Sequence, residues 1–307
     1  MMIVPTAEMF MKTSTLLVPT ATSTHHASDT AFPTVIPDLP IFEHAGTTGY
    51  RTLWAVFVLL VLSSAAFAGL SWNVPVSKRY LHVLTTTATL TSALAYFGLA
   101  TKQGITWHVY RVVVHNEHVP NTVQHFVRPI AWAHYVDWLI TGPLLLAQVS
   151  FLAGLDGAHT LITIAANTIF VLGGLFSAFA TGHKGAQWGW YTISAIAYFV
   201  VLWQLFVNGR AHAAAQGNTV SRFFLSVAIY TSLVWAAYPI TGTRVLSVNH
   251  EIIAYAVLDL LAKPIFGAWL LTTYSKVPEI QAGLGGFWSR GLDAEGRIRI
   301  ADDEDGA

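Results

Sequence analysis

The sequence predicts an all-α membrane protein, a bundle of seven transmembrane helices. Of its 307 residues, 54% are hydrophobic and only 10% are charged, whereas soluble domains carry about 25% charged residues. Stretches free of Asp, Glu, Lys and Arg recur along the chain, and each reaches the roughly 20 residues that a spanning helix needs. Because backbone polar groups in lipid must bond within their own segment, these stretches predict helices. The composition argues against a water-soluble enzyme.

The seven predicted spans fall into two groups. Five contain no charged residue: 52–77, 80–101, 157–183, 185–209 and 223–243. The other two, 129–155 and 252–275, are equally apolar, but the first contains Asp137 and the second contains Asp259 and Lys263. An apolar composition alone does not explain why these three charged residues lie within predicted spans.

The two ends of the chain differ from the spans. Residues 1–47 combine Ser and Thr with five prolines, which predicts a disordered or extended leader. The leader does not show a basic region followed by an apolar core and a cleavage site, so we predict no signal peptide. Residues 276–307 are polar and acidic, which predicts a solvated cytosolic tail. The longest connection, 102–128, has room for a short hairpin.

Charge and cysteine counts exclude several functions. Lys plus Arg and Asp plus Glu balance at 16 each, so no basic excess indicates nucleic-acid binding. The chain has no cysteine, which excludes disulfides, thiolate metal sites and thiol nucleophiles. The basic residues leave the orientation open, because five lie on one side of the predicted bundle and six on the other.

The charges inside the spans indicate a functional centre. A charged side chain at mid-membrane costs about 2.5–3.5 kcal/mol, so such groups pair and usually carry function. Asp259 and Lys263 are four residues apart, hence on one helix face about 6 Å apart along the axis. A structural ion pair is one reading, but it does not explain Asp137 on another helix, beside His134. A buried lysine can instead form an imine with an aldehyde, whose positive charge two aspartates would offset.

Three segments resemble the microbial (type 1) rhodopsins. Residues 132–146, WAHYVDWLITGPLLL, are similar to the third helix of that family, residues 235–239, WAAYP, to its sixth, and residues 258–263, LDLLAK, to its seventh. The resemblance covers about residues 48–275, in order and at the right spacing. The segments HVLT at 82–85 and AYF at 95–97 resemble the fungal branch, including its opsin-related members.

The resemblance implies a cofactor and a set of roles. All-trans-retinal would be bound to Lys263 as a protonated Schiff base, with Asp137 as primary counterion and proton acceptor and Asp259 as second counterion. Thr141 matches the hydroxyl that bonds Asp137 one helical turn along. The remaining matches are residues around the polyene: Trp138, Trp235 and Tyr238 as its aromatic walls, with Tyr191, Pro239 and Tyr96 as neighbours.

The family also implies partners and a location. Its topology places the N-terminus outside and the C-terminus in the cytoplasm, and we expect the plasma membrane. The partners implied are the lipid bilayer and protons, with a homo-oligomer and a signalling partner left open. The resemblance predicts a photoreceptor or pump rather than an enzyme.

Three polar positions set the expectations for proton transfer. Gln148, eleven residues after Asp137, occupies the family's proton-donor position about 16 Å along the helix. An amide cannot release a proton in this pH range, which predicts a slow photocycle. His134 replaces the arginine below the counterions, so we expect the colour to depend on pH near neutrality. Glu251, eight residues before Asp259, matches a proton-release position, although it also suits an ordinary helix start.

Three further positions depart from the archaeal pumps. Gly142 stands where those pumps have a second threonine, and the facing position on the fourth helix is Asn167. The hydroxyl-to-carboxyl bond between those helices therefore cannot form. Gly242 stands where a tryptophan commonly contacts the retinal ring, which predicts a roomier pocket or simply tighter helix packing.

Three functions stay open from the sequence. A slow light-driven outward proton pump is favoured by Asp137, Thr141, Asp259 and Glu251. A photosensor with little transport is favoured by Gln148 and His134. The third is a non-photochemical protein like the opsin-related proteins that lack the lysine, and Lys263 argues against it.

Overall fold

Seven membrane-length helices make up most of the protein. The computed structural model describes residues 39–76, 79–114, 122–180, 183–241 and 246–276. The helices are α1 (Thr47–Ser71), α2 (Tyr80–Ala100), α3 (Trp132–Ala153), α4 (Gly157–Phe179), α5 (Lys184–Ala215), α6 (Asn218–Thr241) and α7 (Val248–Lys276). Each is long and apolar enough to cross a membrane, which confirms the predicted fold class. Gly242 and most of the predicted leader and tail (1–38 and 277–307) lie outside the described residues.

Successive helices run antiparallel, and the connection between α3 and α4 shows how a short turn reverses the chain. Between α3 and α4, Gly154 adopts a left-handed conformation with φ of 67°, which ends α3 without a Cβ penalty. The side chain of Asp156 then accepts a hydrogen bond from the backbone N–H of His159 at 2.8 Å and begins α4. Helices α1, α3, α5 and α7 consequently begin at one end of the bundle, and α2, α4 and α6 begin at the other.

A three-stranded sheet follows α2 at the first of these ends. Strands β2 (Thr106–Val114) and β3 (Thr122–Ile130) form an antiparallel hairpin within the 102–128 connection and extend just beyond it. The hairpin is longer than the short one that the connection suggested. Strand β1 (Ile41–Phe42), from the end of the predicted leader, pairs in parallel with β3. We call this end of the bundle the hairpin side and the opposite end the far side.

Two helices contain a π-helical segment. In α5 it spans Gln204–Gly209, and in α7 it spans Leu261–Ile265. The α7 segment includes Lys263 and Pro264. Proline has no backbone N–H to donate, so a wider turn is a way to carry it inside a helix without breaking the helix. The irregular turn therefore lies at the buried lysine.

Side chains are distributed as expected for a protein in lipid. Large apolar groups face outward, as shown by Phe199 and Leu233, which are 67% and 69% exposed on the protein surface. In contrast, the ionisable side chains of Asp137, Asp259 and Lys263 are buried in the bundle interior. Charged groups in a membrane protein face the interior because their cost in lipid is high. The interior of the bundle is therefore where the functional chemistry lies.

Candidate functional site

Lys263 lies between two carboxylates in the middle of the bundle. Its Nζ donates to Asp137 Oδ2 at 2.6 Å and to Asp259 Oδ1 at 2.7 Å. One carboxylate comes from α3 and the other from the preceding turn of α7, as the spacing of four residues predicted. The structure thus brings together the three charges that the sequence singled out.

The two carboxylates have different surroundings. Asp259 accepts hydrogen bonds from the hydroxyls of Tyr96 and Tyr238, each at 2.8 Å, and from Trp138 Nε1 at 3.2 Å. Asp137 accepts one bond from a neutral group, the hydroxyl of Ser92, at 2.7 Å. Hydrogen bonds to the charged form stabilise a carboxylate. The negative charge is therefore better stabilised on Asp259 than on Asp137.

Thr141 contacts Asp137 in a way that the sequence did not specify. Its hydroxyl donates to the backbone carbonyl of Asp137 at 2.9 Å. The hydroxyl that bonds the Asp137 carboxylate belongs instead to Ser92 on α2. The resemblance did not identify Ser92, because the contact crosses from one helix to another and no local spacing marks it.

His134 is enclosed on the hairpin side of the carboxylates. Its side chain is buried, with Nδ1 3.6 Å from Asp259 Oδ2, slightly longer than a hydrogen bond. The ring stacks on Trp138 with centroids 5.5 Å apart and meets the rings of Tyr96 and Tyr255 at 5.2 Å. The imidazole thus lies next to the charge cluster, at the position that the sequence comparison gave to a missing arginine.

A cavity lined by Lys263 lies between α3, α4, α5, α6 and α7. Seven of the predicted pocket residues line it together with the lysine: Trp138, Gly142, Asn167, Tyr191, Trp235, Tyr238 and Pro239. Tyr96 does not line it, and lies instead on the opposite side of Asp259, to which it donates. A row of residues on α4 that the resemblance did not identify also faces the cavity. Gly174 and Ser177 belong to this row, and their helical spacing from Asn167 could have revealed them.

Gly142 on α3 lies directly against Asn167 on α4 where the two helices pack together. A Cβ on Gly142 would lie 2.4 Å from Asn167 Nδ2, so a larger residue at this position would require the amide to move. That Nδ2 is buried and has no hydrogen-bond partner. Neither residue can form a hydroxyl-to-carboxyl bond, and an amide that can donate a bond faces the cavity instead.

These residues fit a covalently bound, elongated, apolar aldehyde. The cavity is lined by a primary amine, by several flat aromatic side chains and by mostly apolar walls. The two carboxylates at the amine can balance the one positive charge that remains when Nζ is covalently linked and protonated. Retinal has this shape and chemistry, and Lys263 is the residue that would hold it.

Gln148 lies on the far side of Asp137 and is fully buried. Thr85 Oγ1 donates to its Oε1 at 3.1 Å, while Gln148 Nε2 has no partner. Within the described residues, the only carboxylate on the far side is Asp156, which is held at the start of α4. The described part of the far side therefore offers no buried acid beside the pathway to Lys263.

Arg128 joins the hairpin to the start of α7. It donates to Glu43, to the backbone carbonyl of Leu246 and, through a short contact, to Glu251. Burial by itself lowers the pKa of the Arg128 guanidinium, but the carboxylates of Glu251 and Glu43 outweigh it and raise that pKa overall. Arg128 is therefore a permanent cation bound to Glu251.

The fold and the site together define a seven-helix membrane protein with a buried, cofactor-linking lysine. Residues 48–277 match the family of bacteriorhodopsin-like proteins. The chain belongs to this family, the microbial rhodopsins, which bind retinal as their chromophore.

Relatives of known sequence and structure agree with this membership. Opsin-1 of Neurospora crassa is 46% identical over 94% of this chain and 97% of its own length. A light-driven proton pump from Leptosphaeria maculans is 46% identical, with a TM-score of 0.77, and the match covers 79% of this chain and 100% of that structure. The light-driven proton pump rhodopsin of Coccomyxa subellipsoidea is 32% identical, with a TM-score of 0.66, over 76% of this chain and 99% of that structure. The resemblance to the fungal branch is confirmed.

Proposed function

We propose that this protein is a light-driven outward proton pump that carries all-trans-retinal on Lys263 and turns over slowly. The observation that carries this proposal is the placement of Lys263 Nζ within 2.7 Å of two buried carboxylates whose surroundings differ. Its similarity to two light-driven proton pumps supports the same conclusion. When bound, retinal supplies light absorption and a light-induced change of shape that alters which side of the bundle the proton on Nζ faces.

Asp137 is the acceptor of that proton in this proposal. Its Oδ2 lies 2.6 Å from Nζ, a distance suited to direct transfer. Asp259 keeps its negative charge, because the hydroxyls of Tyr96 and Tyr238 and the indole N–H of Trp138 all donate to it. A carboxylate pair with unequal hydrogen bonding separates the two roles, one group taking the proton and the other remaining an anion.

The hairpin side faces the outside in this proposal, and the far side faces the cytoplasm of the plasma membrane. Protons taken up by Asp137 then leave past His134 toward Glu251. On the cytoplasmic side Gln148 holds Thr85 but has no proton to give. Nζ must then be reprotonated from water or a soluble acid, which makes turnover slow.

Acidification of the medium tests the proposal. Cells that express the protein and receive all-trans-retinal should acidify an unbuffered medium on illumination, and a proton ionophore should abolish the signal. Asp137→Asn should remove the signal while keeping a visible band. The matched control Asp156→Asn removes a carboxylate at the start of α4, away from Lys263, and should leave acidification unchanged. Acidification in Asp137→Asn equal to that of the wild type would overturn the assignment.

A photosensor is the second candidate, and Gln148 is the observation that favours it. A long interval before reprotonation gives a lit state time to act on another protein. In that case illumination would change the absorption spectrum of wild-type membranes without moving protons across them. The same acidification measurement therefore separates the two functions.

A further inference from the structure

We propose that His134 is a proton relay, which carries each released proton from the Asp137–Asp259 pair toward Glu251. The inference rests on the proposed pumping function and adds a chemical role for a residue on the exit side. It differs from a purely electrostatic role, in which His134 would supply only positive charge.

The imidazole of His134 is positioned next to the carboxylate pair. Nδ1 is 3.6 Å from Asp259 Oδ2, and this nitrogen has no hydrogen-bond partner although it is buried. A small displacement brings it within bonding distance of the carboxylate. The rings of Trp138, Tyr96 and Tyr255 hold the imidazole from three directions. His134 is thus held in place with an unbonded nitrogen next to Asp259, the partner carboxylate of the proton acceptor Asp137.

Cavities connect the surroundings of the His134 ring with those of Glu251. Two cavities on the hairpin side have volumes of about 50 and 40 Å³, and each is lined by both His134 and Glu251. A site of about 10–15 Å³ can hold one water molecule, so each cavity has room for about three. The polar groups that water needs are present at both ends. Water in either cavity would connect the imidazole with the Glu251 carboxylate.

Titratable and charged groups surround the imidazole of His134. Asp259 and Tyr255 face His134 from α7, Tyr96 faces it from α2, and Asp137 follows it by one turn on α3. Arg128, a cation on the hairpin side, does not take the place of His134 in the relay, because its guanidinium is bound to Glu251 and Glu43. A guanidinium at position 134 could not lose a proton, whereas an imidazole can both gain and lose one.

The transfer balances as two steps. The proton held by Asp137 passes transiently to Asp259, its neighbour across Lys263 Nζ, and from Asp259 Oδ2 to His134 Nδ1, which leaves both carboxylates anionic and the ring positively charged. The ring then gives the proton on Nε2 to cavity water, which passes it to Glu251 or outward, and the ring becomes neutral again. Exchange with the same water returns the proton on Nδ1 to Nε2 before the next cycle. No oxidant, reductant or further reactant is needed.

Flash-induced proton release tests the relay. In wild-type membranes reconstituted with all-trans-retinal, a pH-sensitive dye on the outer side should report release after a flash. His134→Gln should slow release by about 10- to 100-fold, in line with the loss of a general acid–base group. Imidazole added to the medium should restore part of the rate in His134→Gln. The matched control His159→Gln removes a half-buried histidine on the far side and should release at the wild-type rate.

Two further measurements separate the relay from charge and from packing. His134→Arg restores a fixed positive charge, so it should stay slow if His134 passes the proton on, and should recover the wild-type rate if only charge matters. Infrared difference spectra with ¹⁵N-labelled histidine should show a light-induced change of an imidazole ring in the wild type that His134→Gln lacks. Release at the wild-type rate in His134→Gln, or its full recovery in His134→Arg, would overturn the inference.

The failure of pumping and the failure of the relay remain distinguishable. If the wild type moves no protons across the membrane, the proposed function fails, and the labelled-histidine signal still decides whether His134 takes a proton. If His134→Gln gives no visible band, His134→Asn takes its place in the same measurements. A wild-type infrared spectrum without an imidazole change would count against the relay in either case.

Discussion

Replacing Gln148 with glutamate should turn a slow, pH-dependent recovery into a fast one. The two side chains have the same shape, so the fully buried site should accept the change and Thr85 can still donate to it. The introduced carboxyl adds a proton that Gln148 cannot supply. It would lie on α3 about 16 Å from Asp137, on the far side of Lys263.

The expected magnitude follows from the supply of protons. Without an internal donor, protons come from the medium, and a diffusion-limited rate constant on the order of 10¹⁰ M⁻¹ s⁻¹ gives roughly 1,000 arrivals per second at pH 7. Burial of Gln148 lowers this rate further. Recovery in the wild type should therefore slow by about tenfold for each pH unit raised, following the proton concentration. With Gln148→Glu we expect recovery at pH 8 to be at least about tenfold faster and nearly independent of pH, because a positioned acid replaces the medium.

Flash spectroscopy across pH 6 to 9 measures this recovery as the decay of the light-induced absorbance change. Azide or another weak acid should accelerate the wild type and leave Gln148→Glu unchanged. The matched control is Gln204→Glu, which places a carboxyl on α5 at another buried glutamine of the far side. A recovery of the wild type that does not depend on pH would refute the reasoning, and so would an equal acceleration by Gln204→Glu.

Three further substitutions test the packing and the hydrogen bonds of the site. Tyr238→Phe removes one donor from the Asp259 carboxylate and should cost about 1.5–3 kcal/mol, seen as a lower temperature of thermal bleaching. Gly142→Ala places a Cβ 2.4 Å from Asn167 Nδ2 and should cost about 1–3 kcal/mol, which the double substitution with Asn167→Ala should largely recover in a denaturation series. Arg128→Gln leaves two carboxylates without their cation and should lower stability by about 2 kcal/mol, with little shift of the visible band because no contact joins this group to Lys263.

The charge cluster was predictable because a charged side chain within a membrane span has few stable arrangements. An ionisable side chain within a span must find a partner, and the spacing of Asp259 and Lys263 places them on one helix face. Asp137 needed a partner on another helix, and the structure supplies Lys263. The number of spans followed for the same reason, since each apolar stretch must satisfy its backbone internally.

Contacts between distant segments were not predictable from local patterns. Ser92 bonds Asp137 across 45 residues, and Arg128 bonds Glu251 across 123 residues. Neither contact leaves a periodic signal in the sequence, because each depends on how two elements meet. The role of Glu43 was hidden for a related reason, since it follows strand β1 in a segment that composition alone describes as part of a leader.

The structure also separates two tasks that one arginine would otherwise combine. The permanent cation, Arg128, lies at the hairpin and holds Glu251, while the residue next to the counterions, His134, can titrate. Arg128 precedes Asp137 by nine residues and lies at the hairpin, where it donates to the backbone carbonyl of Leu246. In the proposed exit pathway, protons would therefore pass through a group that changes charge.

The most direct measurement is the location of the chromophore on the chain. Purified protein should form a visible band with all-trans-retinal. Borohydride trapping followed by peptide mass analysis should place one retinyl group on Lys263, and Lys263→Ala should give neither band nor adduct. A colourless wild type, or an adduct on a lysine other than Lys263, would contradict the account.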